Sequence, residues 1–323
     1  MKVLFRLCLL LIAVVLGTYG YVYFAFAEPD RPVEELTERW ANQASQFLTL
    51  SGMQVHFRDE GPKEDPVPII LVHGTSASLH TWDGWTAVLA EHHRVIRFDM
   101  QGFGLTGPHP DGKYRIENYA DTLIMLMDKM GIDTAIIAGN SLGGYVAWST
   151  ALLYPERVAK LVLVDSSGYP FESQSVPIAF RIYRSSLLKS LFGSIMPRSM
   201  VKSSLENVYG NPDKISEDLV DRYFELTTRE GNRGALAKRF VDTKAGELAN
   251  RVGELKQPTL IMWGEQDRLI PISVGQRFHR EITNSQFITF SDLGHVPHEE
   301  DPQITVNAVE QFLHKNAIAA TEF

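Results

Sequence analysis

The 323-residue sequence predicts an α/β protein: a mainly parallel sheet with helices on both faces and a helical segment inserted late in the chain. Three observations carry this. Short, continuous runs of Ile, Leu and Val recur with helical stretches between them, which is how strands buried on both faces read. The alternation stops near residue 168, gives way to helical sequence alone, and resumes near residue 246. One strand also runs through a glycine-rich turn directly into a helix, a setting that can lift a side chain clear of a sheet edge.

The first 27 residues differ in kind from the rest. Lys2 and Arg6 precede "LCLLLIAVVLGTYGYVYFAFA", an apolar run long enough to cross a bilayer as a helix. Basic residues before it, with Glu28 and Asp30 after it, orient the N-terminus to the cytoplasm and the remainder to the exported side. Tyr19, Tyr21, Tyr23, Phe24 and Phe26 crowd its far end, where aromatic rings settle at a membrane interface. Residues 1–27 therefore read as a retained membrane anchor. Ala25-Phe26-Ala27 also fits a small-x-small signal-peptidase site, and the alternative is a protein secreted after cleavage at Ala27. The one cysteine, Cys8, lies inside this segment, so the exported part has no disulfide, cysteine nucleophile or cysteine-ligated zinc.

Residues 28–45 read as a polar linker in which "VEELTERWANQ" forms a short exposed helix. The core spans 46–167 and 246–316. "FLTLSGMQVHFRDEG" opens it as an antiparallel hairpin, followed by strands at "PIILVHG", "RVIRFD", "TAIIAG" and "KLVLVD". Helices fall at "WTAVLAEHH", "ADTLIMLMDKMG" and "GYVAWSTALLY". After the insertion, 168–245, strands return at "TLIMWG" and "QFITFSD", separated by "VGQRFHREI". "ITVNAVEQFLHKN" closes the chain as a helix before a tail, 317–323.

Within the insertion, "AFRIYRSSLLKSLFGSIM" spaces Phe180, Tyr183, Leu187, Leu188, Leu191, Phe192 and Ile195 as one amphipathic helix, with Arg181, Arg184 and Lys189 between them. No acid occurs from Ser173 to Leu205. Such a helix either closes over a pocket, the reading preferred here, or lies on an anionic membrane surface.

Net charge is −8, and no Lys/Arg block is dense enough to track a phosphate backbone, so nucleic acid is not an expected partner. "GFGLTG", Gly102 to Gly107, has the G-x-G-x-x-G spacing of a dinucleotide site, but Pro108, Pro110 and Asp111-Gly112 prevent the helix that such a site requires. No cofactor is expected.

The chemistry centres on "GNSLGG". Ser141 sits in G-x-S-x-G between strand and helix, where a turn sharp enough to expose it leaves no room for a Cβ at the flanking glycines. A serine needs a base, and the base an orienting group. His295, on the loop after the last strand, is the candidate base, with His298 its nearest rival. Asp267, after the penultimate strand, is the candidate orienting acid, with Asp165 second. His73 reads as fixing the turn after its strand, and Asp99 as holding the turn at Gly102 and Gly104. His56, His80, His92, His93, His109, His279 and His314 read as surface or loop residues. A metal set of His295, His298 and Glu299 lacks the helical H-E-x-x-H spacing, and no metal is expected.

In "HGTSASLHTW", "DMQGFG", "GNSLGG", "GEQDRLIP" and "GHVPHEEDP", taken in order, the chain resembles the α/β-hydrolase superfamily from about Phe47 to Lys315. It looks most like the serine esterases, lipases and carbon–carbon bond hydrolases with a helical cap. The resemblance implies an eight-stranded sheet, a helical cap at 168–245, the triad Ser141, Asp267 and His295, and an oxyanion hole formed by the N–H groups of Thr75 and Leu142. It implies an esterase acting on an ester of an apolar or lipid-like substrate, and the N-terminal segment read above adds contact with the membrane. Carbon–carbon bond hydrolysis is the alternative that Asn140 permits, although "HGTSAS" departs from the glycine-rich stretch common in that group. A cofactor-free perhydrolase shares the triad. From another class, the chain could be a membrane-tethered binding module without turnover.

Overall fold

The computed structural model describes residues 1–318, the side chains of Ser186, Phe192 and residues from 315 onward apart. The expected tail, 317–323, lies mostly outside the described residues, as does the side chain of Phe192.

Among the described residues the strands are β1 (Ser45–Leu50), β2 (Met53–Glu60), β3 (Ile69–Val72), β4 (Val95–Phe98), β5 (Ala135–Asn140), β6 (Val158–Val164), β7 (Thr259–Gly264) and β8 (Ser285–Phe290). They form one eight-stranded sheet in the order β1-β2-β4-β3-β5-β6-β7-β8. β1 and β2 form the expected antiparallel hairpin, β2 pairs antiparallel with β4, and every other pairing is parallel. β3, β4, β5 and β7 are buried at every position. That is the physical reason for their unbroken apolar sequence: helices cover both faces of a parallel sheet.

The helices are α1 (Lys2–Phe26), α2 (Val33–Trp40), α3 (Asp83–Leu89), α4 (Ile116–Lys129), α5 (Leu142–Leu153), α6 (Ile178–Arg184), α7 (Ser186–Phe192), α8 (Arg198–Val208), α9 (Glu217–Thr227), α10 (Asn232–Asp242), α11 (Ile272–Glu281), α12 (Pro297–Glu300) and α13 (Pro302–Ile318). One apolar layer gathers α4, α5 and α11 on one face of the sheet, with Trp148, Tyr145 and Phe278 inside it. The other packs α3 and α13 on the opposite face through Trp82, Trp85, Val306 and Phe312. α6 to α10 lie between β6 and β7 in sequence and add no strand.

Three readings change. The amphipathic stretch is two helices, not one: the chain turns at Ser185, whose hydroxyl caps α7 by accepting from Leu188 N–H at 3.3 Å. Ile195 lies beyond α7, in an isolated bridge with Ala27. The helix in 33–40 is not merely exposed, because Leu36 is buried against Leu105 and Leu226, and Trp40 Nε1 donates to Glu225 at 2.8 Å. Finally, His56, His80 and His109 are buried. His56 Nδ1 meets Asp99 at 2.8 Å and His80 Nε2 meets the Trp40 carbonyl at 2.8 Å, so tertiary partners satisfy rings that sequence alone places outside.

Candidate active site

β5 delivers Ser141. Its last residue is Asn140, α5 begins at Leu142, and Ser141 between them has φ +54° and ψ −115°. A non-glycine residue at positive φ is strained, and this strain is observed at the turn that the sequence marks. A Cβ at Gly143 would overlap the carbonyl of Val72, and one at Gly139 would overlap that of Gly143. Both glycines are therefore required by close backbone packing. As the first residue of α5, Leu142 has an N–H with no intrahelical acceptor.

The loop after β3 lies against this elbow: a Cβ at Gly74 would sit 3.3 Å from Ser141 Cβ. His73 fixes the loop. Its Nδ1 meets the Gly74 carbonyl at 2.8 Å, and its Nε2 accepts from Met100 N–H at 3.0 Å. Those two contacts specify the Nδ1–H tautomer, and burial holds the imidazole below its ordinary pKa, hence neutral. Asp99 anchors the neighbouring turn by accepting from Leu105 N–H at 2.9 Å and from Leu79 N–H at 2.7 Å. After "GFGLTG" no helix starts until Ile116.

His295 Nδ1 meets Asp267 Oδ2 at 2.7 Å, and both side chains are buried. Asp267 Oδ1 also accepts from Leu269 and Ile270 N–H, at 2.7 and 2.9 Å, which fixes the carboxylate plane. Asp165 lies behind the pair, so that ligand-type atoms of Asp165, Asp267 and His295 fall within 4.8 Å of one another. Burial, then the charge of Asp267, push Asp165 well above the usual carboxylate range. His295 Nδ1 is engaged by Asp267, and Asp165 Oδ1 accepts from Gly264 N–H at 3.0 Å. The neighbouring His298 and Glu299 are committed elsewhere. His298 Nε2 meets Thr81 Oγ1 at 3.0 Å, while Glu299 pairs with Arg222 and accepts from Tyr223.

A family model described as alpha/beta hydrolase fold matches residues 67–302. The chain belongs to the α/β-hydrolase family. It is 27% identical over 282 residues to 2-hydroxy-6-oxo-2,4-heptadienoate hydrolase of Pseudomonas putida, which covers 84% of this chain and 96% of that protein. Among solved structures it resembles a thermophilic esterase from Thermogutta terrifontis at 26% identity, with TM-score 0.69, over 85% of this chain and 99% of the other. A bacterial membrane phospholipase A aligns over 98% of this chain and 99% of its own, with TM-score 0.71. At 20% identity that last likeness is one of fold.

The hydrolase also has site features that the sequence reading missed. Asn140 Nδ2 donates to the His295 carbonyl at 2.9 Å, and His295 N–H donates to the Val208 carbonyl, at the end of α8, at 2.7 Å. Glu300 accepts from Gly294 N–H at 2.8 Å and from Gly210 and Asn211 N–H at 2.9 and 2.7 Å. The inserted segment thus holds the histidine loop directly. The sequence signal for this is the run of three acids in "HEEDP", of which the metal motif considers only Glu299. Arg239, from α10, donates to Thr75 Oγ1 at 2.6 Å, and burial pushes its guanidinium down to about 10. Beside Thr75 and Ser76, a narrow apolar cavity of about 80 Å³ is walled by Ala179, Phe180, Met196 and Leu205 of the insertion.

Proposed function

We propose that this hydrolase cleaves a carboxylic ester of an apolar, lipid-like substrate through an acyl-enzyme on Ser141, with His295 as base and Asp267 as its orienting acid. The observation that carries the reading is a strained serine at a strand-to-helix elbow whose neighbour Asn140 bonds the backbone of His295, itself joined to Asp267 by a buried hydrogen bond of 2.7 Å. With Nδ1–H directed at Asp267, Nε2 is the nitrogen left to take the serine proton. Ser141 Oγ attacks the carbonyl carbon as its proton passes to His295. Collapse of the tetrahedral adduct expels the alcohol with that proton, and a water molecule repeats the sequence to release the acid.

The N–H groups of Thr75 and Leu142 stabilise the oxyanion, each as a preset donor whose value lies in needing no reorganisation when charge develops. The cavity lining supports an apolar acyl group. The helix Lys2–Phe26, with mean hydropathy 2.2 in its most apolar stretch and no buried residue, supports a membrane anchor that leaves the catalytic part on the exported side.

Carbon–carbon bond cleavage is a second reading, favoured by the likeness to the heptadienoate hydrolase. A panel of p-nitrophenyl esters of graded acyl length, run beside a vinylogous 1,5-diketone acid, separates the two. The ester reading expects turnover of the esters and a fall of about four to six orders of magnitude in kcat for Ser141→Ala. Diketone cleavage outpacing every ester would reverse the order of the two readings.

A further inference from the structure

The end of α1 is not free. Tyr19 Oη donates to the Leu191 carbonyl at 2.7 Å, Glu28 N–H donates to the Ser194 carbonyl at 2.9 Å, and Met196 N–H to the Phe26 carbonyl at 3.3 Å. Ala27 and Ile195 close the same contact as a β-bridge. Segment 191–196 is therefore stapled along the last turns of the anchor. Arg233 extends the staple by donating to the Glu28 carbonyl at 2.7 Å and pairing with Asp30.

This fixes a depth. Tyr19 precedes Phe26 by seven residues, about 10 Å along a helix axis at 1.5 Å per residue. Leu191 is thus held level with the aromatic end of α1, where a membrane interface would lie. Interfacial helices bury their apolar face about 5–10 Å into the headgroup boundary. α7 and the start of α6 offer such a face: Leu187 is 68% exposed, Ile178 49%, Leu191 42% and Leu188 36%. Arg181, Arg184 and Lys189 lie among them, Arg184 over the Phe240 ring at 4.9 Å, and none takes part in a carboxylate ion pair among the described residues. With no Asp or Glu from Ser173 to Leu205, the surface has the sign that attracts anionic lipid headgroups.

We propose that α6 and α7 dock on the anionic lipid leaflet that α1 spans, so that the cavity beside Thr75 faces the bilayer through Pro177, Ala179 and Phe180. The inference rests on the ester-hydrolase reading for its consequence but not for its geometry. A long-chain ester would then pass from lipid to the cavity without crossing water, which removes the cost of exposing its acyl chain.

The test uses the full chain in vesicles of phosphatidylglycerol and phosphatidylcholine, with an environment-sensitive fluorophore on Ser190→Cys in a Cys8→Ser background. A second chain carries the fluorophore on Gln303→Cys, an exposed position on α13. Lipid-borne spin labels should quench the fluorophore at 190 at least threefold more than at 303, and more strongly with the anionic lipid than in phosphatidylcholine alone. Equal quenching at the two positions would overturn the proposal, and so would quenching at 190 that ignores lipid charge. In parallel, Leu187→Glu/Leu191→Glu should lower hydrolysis of a vesicle-borne long-chain ester about tenfold and leave a soluble short ester untouched. Equal loss on both substrates counts against docking. If wild type turns over no ester at all, the ester reading fails while the quenching experiment still decides the docking.

Discussion

Two loops carry the proposed reacting groups, and the molecule holds them by opposite means. The elbow at Ser141 is fixed locally: Gly139 and Gly143 let the backbones of β3, β5 and α5 pack closer than any side chain would allow, and the strained φ follows. The loop at His295 is fixed from a distance. Asn140 holds its carbonyl, Val208 its N–H, and Glu300 gathers the amides of Gly210, Asn211 and Gly294 into one carboxylate. Ser141 thus depends on what is absent, His295 on bonds reaching across the fold. Damage to the first should be a packing failure and damage to the second a graded loss.

The largest effect is expected at Gly143→Ala. The new methyl would overlap the Val72 carbonyl, which belongs to a central strand and cannot move alone. Overpacking usually costs about 1–3 kcal/mol, and backbone overlap at this site should exceed that range. Urea denaturation would show the midpoint falling, and turnover should vanish with the displaced Ser141. A variant as stable and active as wild type would remove the steric basis of the elbow.

A smaller loss is expected at Glu300→Gln. Glu300 Oε2 accepts two amides and Oε1 a third, so in either orientation of the amide side chain an NH₂ group faces a backbone donor. Losing hydrogen bonds to a charged group at a buried site costs about 1–3 kcal/mol. The melting temperature should fall accordingly, with kcat reduced more than KM is raised, because the loop it holds carries the proposed base, His295. An unchanged kcat would mean that His295 is held well enough by Asn140 and Val208 alone.

The same contrast explains how much of the molecule is legible in its sequence. The elbow is written locally, in six consecutive letters, and the strands in runs whose burial on both faces forces Ile, Leu and Val. The break between α6 and α7 is hidden because the apolar spacing continues through Ser185, whose capping role depends only on the hydroxyl's orientation. The burial of His56 is hidden because its partner Asp99 lies 43 residues away. Likewise Val208 and Glu300 act on His295 through a backbone carbonyl and backbone amides, which leave no pairing signal in side-chain chemistry.

The smallest and most discriminating effect concerns Asp165, the alternative to Asp267 as the orienting acid. Asp267 makes the 2.7 Å contact with His295, and Asp165 Oδ1 instead accepts from Gly264 N–H at 3.0 Å. Asp165→Asn keeps that acceptor and should retain kcat within about tenfold, whereas Asp267→Asn should lose about 10⁴-fold by presenting the wrong hydrogen-bonding partner to the imidazole. Stability should respond in the opposite sense. Because burial and the neighbouring carboxylate raise the folded-state pKa of Asp165, the folded protein keeps a proton that the unfolded chain releases above its ordinary value of 3.8. Between those two pKa values the unfolded state binds fewer protons, so this residue's contribution to stability declines as pH rises. Asparagine does not titrate. The melting temperature of Asp165→Asn relative to wild type should therefore be higher at pH 8 than at pH 4. A relative melting temperature independent of pH would mean that Asp165 carries no raised pKa, and equal catalytic losses at the two positions would return Asp165 to the triad.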